Sequence, residues 1–193
     1  NPQNGNALWR NEEGLLTENY AEARRINAGS PEPLWTGGFN TELSWKGISL
    51  GIQLEARYGN KVLNQDRSLF EADGAYGDSN IWKGALNYWK KPGDTNVLPK
   101  PVYNNSSNSS NISTRYLEDG SYLRIKDITL AYNLPSKWTK KALMSGVRIY
   151  ASALNLYTFH NMNYWDPEHG TTGATIISYP MTRSMIVGVD ITF

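Results

Sequence analysis

The chain has 193 residues, no cysteine and a formal net charge of +1. That length can bury a core of ordinary domain size. The composition excludes a disulfide framework and a Cys-based zinc site, and no basic field is present to draw nucleic acid.

No run approaches the ~18 consecutive apolar residues of a transmembrane helix. A β-barrel strand shows only alternate residues to lipid, so the mean hydropathy of −0.54 does not separate a barrel from a soluble domain. Seven Trp and twelve Tyr suit a barrel with interfacial girdles, and equally a carbohydrate-binding β-domain. The opening Asn1-Pro2-Gln3-Asn4 has no initiator Met and no signal region, so the chain is expected to be processed or a piece of something longer.

Asn1 to Pro33 is turn-rich and polar and reads as a loop, with Leu15 to Ile26 able to form a short helix. Phe39 to Trp45 alternates, with Phe39, Thr41, Leu43 and Trp45 on one face. Lys46-Gly47 then offers a tight two-residue turn. Beyond it, Ile48, Leu50, Ile52, Leu54, Ala56 and Tyr58 share a face, so the two segments predict a hairpin. Ten residues at about 3.3 Å each, tilted about 45°, rise roughly 24 Å, the height of an outer-membrane apolar band.

Asn64 to Gly120 is a long excursion, which a compact soluble domain rarely tolerates. It includes a possible helical turn at Ile81 to Lys90. It also holds an Asn/Ser run, Asn104 to Thr114, that reads as a solvated, mobile loop; its four Asn-x-Ser/Thr sequons carry no further meaning. Ser121 to Leu134 is strand-like, but Leu123 and Ile125 fall out of phase with Ile128, Leu130, Tyr132 and Leu134. The slip near Asp127 predicts a bulge, or a strand top that rises clear of lipid.

Pro135 ends that strand, and Ser136 to Gly146 forms a short basic connection. Val147 to Phe159 is a further strand of mixed phase, and His160 to Ile177 is a polar, aromatic loop. Met181 to Phe193 is a clean strand whose apolar face holds Met181, Met185, Val187, Val189, Ile191 and Phe193. Arg183 shares that face. It is tolerable at the far interface, where a cation costs about 0–1 kcal/mol, against about 2–4 at the midplane.

Loop lengths assign sides. Lys46-Gly47 and Ser136–Gly146 are expected on the periplasmic side; 1–33, 64–120 and 160–177 are expected outside. The fold class is all-β, an antiparallel transmembrane barrel with long external loops. About five strands cannot close a barrel, whose smallest bacterial form uses about eight, so the remainder is expected elsewhere.

These segments resemble the C-terminal end of SusC/RagA-type TonB-dependent transporters of the Bacteroidota. The likeness rests on several stretches in shared order. They are Gly29-Ser30-Pro31-Glu32-Pro33 with Gly37-Gly38-Phe39, Trp45-Lys46-Gly47-Ile48, the run Asp119 to Pro135, Val147-Arg148-Ile149-Tyr150 with Asn155-Leu156, and Asp166-Pro167-Glu168 followed by the strand to Phe193. Trp45 stands where the family usually has Tyr, and the Asn/Ser run is not a family feature.

The resemblance implies that residues 1–193 are about five C-terminal strands of a barrel of about 22 strands whose plug and earlier strands are absent. It also implies TonB-energised import of oligosaccharides or peptides across the outer membrane, a SusD-like surface lipoprotein as lid, and no catalytic residue.

Phe193 reads as the terminal signal for barrel assembly, against an ordinary strand ending by chance in Phe. Trp82, Trp89, Tyr103 and Trp165 fall in external loops, where aromatics stack on sugars or contact a lid protein, or simply pack the loop. Trp45 and Trp138 read as interfacial anchors at the periplasmic ends. His160, Asp166, Glu168 and His169 form a set able to ligate metal, but polar loops assemble such sets by chance, and no metal or other cofactor is expected. The competing reading is a soluble β-sheet domain that binds glycan. It requires Ile48–Tyr58 and Met181–Phe193 to bury their apolar faces under a second sheet. No residue constellation supports an enzyme.

Overall fold

The computed structural model describes all residues except 79, 106, 169–172, 176–178 and 180. The chain forms strands β1 (Trp9–Arg10), β2 (Leu16–Thr17), β3 (Trp35–Trp45), β4 (Ile48–Tyr58) and β5 (Lys61–Asn64), then helix α1 (Gln65–Phe70). There follow β6 (Leu117–Asp119), β7 (Tyr122–Asn133), helix α2 (Ser136–Thr139), β8 (Gly146–His160), β9 (Ala174–Thr175) and β10 (Ser184–Thr192). Among the described residues, no helix is long and apolar enough to cross a membrane.

The chain divides into two units. One, the loop unit, comprises Asn1–Gly29, Leu63–Glu118 and Ala174–Ile177; the other, the sheet unit, comprises Ser30–Val62, Asp119–Gly173 and Ser178–Phe193.

The sheet unit is built on an antiparallel sheet ordered β10-β8-β7-β4-β3. Lys46 (φ 46°) and Gly47 (φ 87°) both adopt positive φ, the two-residue turn whose twist suits a hairpin. Strand β3 starts at Trp35, earlier than its alternation predicts, because Gly37 and Gly38 carry no pattern of their own but pair with Ala56 and Glu55. The expected bulge is present. Gln53 and Leu54 are consecutive on β4, yet face Asp127 and Ile125 on β7, so Lys126 is the extra residue. Strand β8 carries a second bulge. Ile125 pairs with Tyr157 and Asp127 with Leu154, and Asn155 holds φ at 50°.

The mixed phase of β8 comes from Leu154, which pairs with Asp127 on the face opposite Ile149, Ala151, Tyr157 and Phe159, beside this second bulge. The bulge also bears on the last strand, which begins at Ser184 rather than Met181. Beside the bulge, the Asn155 side chain donates to the Thr182 carbonyl at 3.1 Å, where ladder pairing has lapsed. Arg183 therefore precedes β10 instead of lying within it.

The two bulges keep one face continuous. Trp45, Ile48, Tyr132, Ile149 and Val189 form one cross-strand row; Leu43, Leu50, Leu130, Ala151 and Val187 form the next. Leu54, Ile125 and Tyr157, then Ala56, Leu123 and Phe159, continue the same face above the bulge.

The loop unit departs from expectation in three places. The possible helix over Leu15 to Ile26 does not form. The β1–β2 hairpin closes through Asn11–Gly14, and only Tyr20–Glu22 coils, as a 3₁₀ turn under the Asn19 side chain. Helix α1 was not anticipated; Asn64 starts it by accepting from the Arg67 backbone N–H. The Asn/Ser run is not simply solvated, since Asn105 and Ser109 are buried.

Candidate functional site

The outward face of the sheet is apolar and open. Leu43, Trp45, Val187 and Met185 are 62%, 69%, 79% and 76% exposed, and Phe39, Leu130, Ile149, Val189 and Ile191 are exposed as well. Aliphatic residues occupy the middle rows and aromatics the ends. At one end stands Trp45, with the Lys46 ammonium 4.7 Å from its ring centre. At the other, Trp35 stacks on Tyr58 at 5.9 Å and Tyr157 meets Phe159 edge-on at 4.7 Å. Trp138 is exposed on α2, within the Ser136–Gly146 connection, and Phe193 is exposed beyond β10. The far-end aromatics were missed in the sequence because Trp35 lay outside the alternating run and Leu154, on the opposite face of β8, masked the phase that Tyr157 and Phe159 share with Ile149.

The opposite face of the same sheet is polar and holds the buried groups. Arg148 pairs with Asp190 at 3.1 Å, and Tyr150 lies over Gly188, where any Cβ would strike its ring. Thr129 and Ser152 both donate to Asp127 at 2.8 Å. Near the bulge, the side chain of Arg124 is fully buried and binds Asp166 and, at 2.5 Å, Glu168. The Lys126 ammonium bridges Glu168 at 3.2 Å and Glu55 at 3.1 Å, and the Tyr122 hydroxyl donates to Glu55 at 2.6 Å.

This knot ties the loop after β8 to the polar face. A buried guanidinium needs such partners, because an unpaired buried charge is strongly unfavourable. Trp165 is carried on that loop, in a cleft of about 500 Å³ shared with Arg124, His160, Tyr164 and Arg183. His169 lies outside the described residues, and Asp166 and Glu168 are engaged by Arg124. Among the described residues no group of three or more metal-ligating side chains forms.

The loop unit is packed by charge rather than by aliphatics. Arg67 binds Glu71 at 3.0 Å and Glu118 at 2.7 Å. Arg115 grips Asp73 through both terminal nitrogens, at 2.5 and 3.0 Å, and Ser109 donates to the same carboxylate at 2.7 Å. Burial disfavours the Arg115 charge, but Asp73 more than offsets this and leaves its pKa above the ordinary arginine value. Burial pushes the neighbouring Tyr116 phenol up to about 12.

The predicted loop aromatics divide. Trp82 packs against Phe70 within its own loop, ring centres 4.7 Å apart, whereas the Trp89 indole, beneath Lys100, donates to the Pro2 carbonyl of the N-terminal segment at 3.0 Å. Tyr103 is 79% exposed. A cavity of about 930 Å³ lies instead beside two aromatics not singled out in the sequence, Trp9 and Tyr20. Their rings meet edge-on at 5.5 Å, and the Tyr20 hydroxyl donates to the Ile112 carbonyl at 2.8 Å. The Asn11-Glu12-Glu13-Gly14 turn between two short apolar pairs was the signal that could have found them.

No protein-family model matches the chain. It is 30% identical over 182 residues to TonB-dependent receptor P3 of Formosa agariphila, covering 89% of this chain and 17% of that protein. It is 27% identical over 205 residues to TonB-dependent receptor P26 of the same organism, covering 98% of this chain and 20% of the relative. Among solved structures it is similar to the RagAB peptide transporter, with a TM-score of 0.83 and 29% identity over 100% of this chain and 22% of that one. The open-open state of the RagAB peptide importer gives 0.81 at 29% identity. The chain thus spans about a fifth of the length of the curated relatives it matches.

Proposed function

Because this chain matches TonB-dependent receptors of the Bacteroidota along nearly its whole length, we propose that it forms the C-terminal arc of an outer-membrane nutrient importer. Its place is the outer membrane. The observation that carries the reading is the continuous apolar face of β3, β4, β7, β8 and β10, aliphatic in its middle rows and aromatic at both ends.

Hydrocarbon, rather than a second sheet, suits such a face. Contiguous apolar patches of this size are rare on soluble monomers. Eleven residues of β3 or β4, tilted about 35–45°, rise about 26–30 Å, close to the apolar band of an outer-membrane barrel at about 25 Å. The free edges of β10 and β3 then pair with further strands, since lipid satisfies no backbone group. The full barrel has about 22 strands around a plug. The polar face lines the lumen, with the turn at Lys46-Gly47 and α2 on the periplasmic side. Phe193 serves the assembly signal.

The importer takes up peptides or oligosaccharides, draws energy through TonB at its plug, and is lidded by a SusD-like lipoprotein; it is not an enzyme. The likeness to a peptide transporter puts peptides first. The soluble glycan-binding reading draws no support, because no apolar residue on either face it needs buried is buried: Ile48 and Tyr58 are exposed, Leu50, Ile52, Leu54 and Ala56 are half-buried, and Met181, Met185, Val187, Val189, Ile191 and Phe193 are exposed. The test is expression of the full-length receptor. It is expected in the outer-membrane fraction, with heat-modifiable mobility and substrate uptake that stops when TonB is deleted. A full-length protein that is monomeric and soluble without detergent would overturn the proposal.

A further inference from the structure

The cavity beside Trp9 and Tyr20 has walls of unusual charge. Arg10, Arg24 and Arg25 line it together with those rings and Ile112. The backbone holds the basic residues together: the Arg24 N–H donates to the Arg10 carbonyl at 2.9 Å, and Arg10 lies in the β1–β2 hairpin. Arg24 and Arg25 are exposed. Among the described residues, no ion pair engages any of these three arginines.

Two nearby carboxylates, Glu18 and Glu22, are turned to neutral donors instead, while Glu12 and Glu13 stand exposed in the turn after Arg10 without an ion pair to it. Glu18 accepts from the side chains of Asn1, Asn4 and Asn6 at 2.6, 2.9 and 2.7 Å. Glu22 accepts from Thr17 at 2.7 Å and Asn19 at 3.0 Å. Arg115 also lines the cavity but is held by Asp73. The result is a concavity of ligand size with a fixed aromatic wall and three guanidiniums outside any ion pair, of which Arg10 donates to the Gly14 carbonyl at 3.2 Å. A guanidinium fork matches the two oxygens of a carboxylate.

We propose that this cavity binds a carboxylate-bearing ligand, with Arg24 and Arg25 receiving the carboxylate, Arg10 supporting them, and Trp9 and Tyr20 covering the adjoining part of the ligand. The proposal rests on the importer reading and narrows its substrate class to acidic molecules. The carboxylate comes from one of two sources: an acidic peptide or a uronate-containing oligosaccharide.

The test uses the full-length receptor purified from outer membranes in detergent. Calorimetric affinities are measured for the hexapeptide Ala-Glu-Ala-Glu-Ala-Glu and its Gln counterpart with an amidated C-terminus, and for tetragalacturonate and its methyl ester. At least one acidic probe is expected to bind tenfold or more tighter than its neutral partner. That preference should vanish in Arg24→Gln/Arg25→Gln and survive in part in Arg24→Lys/Arg25→Lys. Preference within the peptide pair alone assigns the carboxylate to peptides; preference within the sugar pair alone assigns it to glycans.

Equal affinity for acidic and neutral probes overturns the proposal, as does a preference untouched by Arg24→Gln/Arg25→Gln. The wild-type comparison stands even if a variant fails to insert. Insertion is read separately by heat-modifiable mobility: its failure in the wild type breaks the importer reading, whereas an inserted receptor indifferent to ligand charge breaks only this inference.

Discussion

The two units invert each other. In the sheet unit, large apolar side chains are exposed and the largest fully buried side chain is a charged one, Arg124. In the loop unit, the buried side chains among the described residues are mostly polar, including Asn64, Asp66, Glu71, Asp73, Asn105, Ser109, Glu118 and Thr175 beside Ala72 and Tyr116, and arginines bind Glu71, Asp73 and Glu118. The first pattern makes sense where hydrocarbon replaces water around the sheet. The second is a loop assembly held by charge-assisted hydrogen bonds, a kind of contact that also works at a wet surface. One chain therefore carries two solvents' rules, and the residues on either side of β4 show the change within one step.

That step is the sharpest place to test the contrast. Ile52→Arg puts a cation in the middle of the apolar face and is expected to cost about 2–4 kcal/mol, seen as loss of the heat-modifiable folded band of the full-length receptor. Gln53→Arg, one residue on and on the polar face, should leave that band nearly unchanged. Equal effects would break the distinction between faces.

Next in size is Arg124→Met. Removing charged hydrogen bonds of this kind costs about 1.5–3 kcal/mol. Asp166 and Glu168 keep partial solvent access, so the loop should detach while the strands persist. Limited proteolysis in liposomes should then cut near residues 161–168 sooner than in the parent, with the folded band retained.

Tyr20→Phe is smaller. It deletes the hydrogen bond to Ile112 and should cost about 0.5–1.5 kcal/mol, read as faster deuterium exchange in the 9–24 and 109–114 peptides with no change in the sheet.

The smallest effect concerns Glu18. Its neutral donors Asn6, Asn4 and Asn1 lower its pKa from 4.5 to about 2. A depressed carboxylate pKa stabilises the folded state above the unfolded value, and the benefit is lost as pH falls through the folded one. Protection of residues 1–18 against exchange should therefore hold from pH 7 to about 4.5 and fade toward 2. Glu18→Gln should flatten that pH dependence.

The sheet was legible in the sequence and the loop unit largely was not. Strict alternation located β4, and the slip between Ile125 and Ile128 announced the bulge at Lys126. In β8 two irregularities obscured the facing, since an extra residue at Asn155 restores a parity the eye expects to stay broken. The loop unit has no period to read. Its order comes from pairs far apart in sequence, such as Arg67 with Glu118 and Asp73 with Arg115. Trp82 and Trp89 illustrate the cost: aromatic type and loop position left contact with a ligand or lid and plain packing both open, and the contacts to Phe70 and Pro2 were not legible from either. Arg124 looked like an ordinary polar-face residue until the loop bearing Asp166 and Glu168 came back to it.

The two bulges also constrain how genes for such sheets can change. Deleting Lys126 alone would not shorten β7 so much as invert everything on one side of the gap, sending Leu123 and Ile125 to the polar face and Arg124 to the apolar one. A one-codon deletion there is tolerable only alongside a second change that restores the parity. Insertions between strands face no such arithmetic. Lineages that keep this sheet should therefore diversify freely in loop length while inheriting strand irregularities as fixed landmarks, which makes Lys126 and Asn155 better anchors for aligning distant relatives than any loop residue.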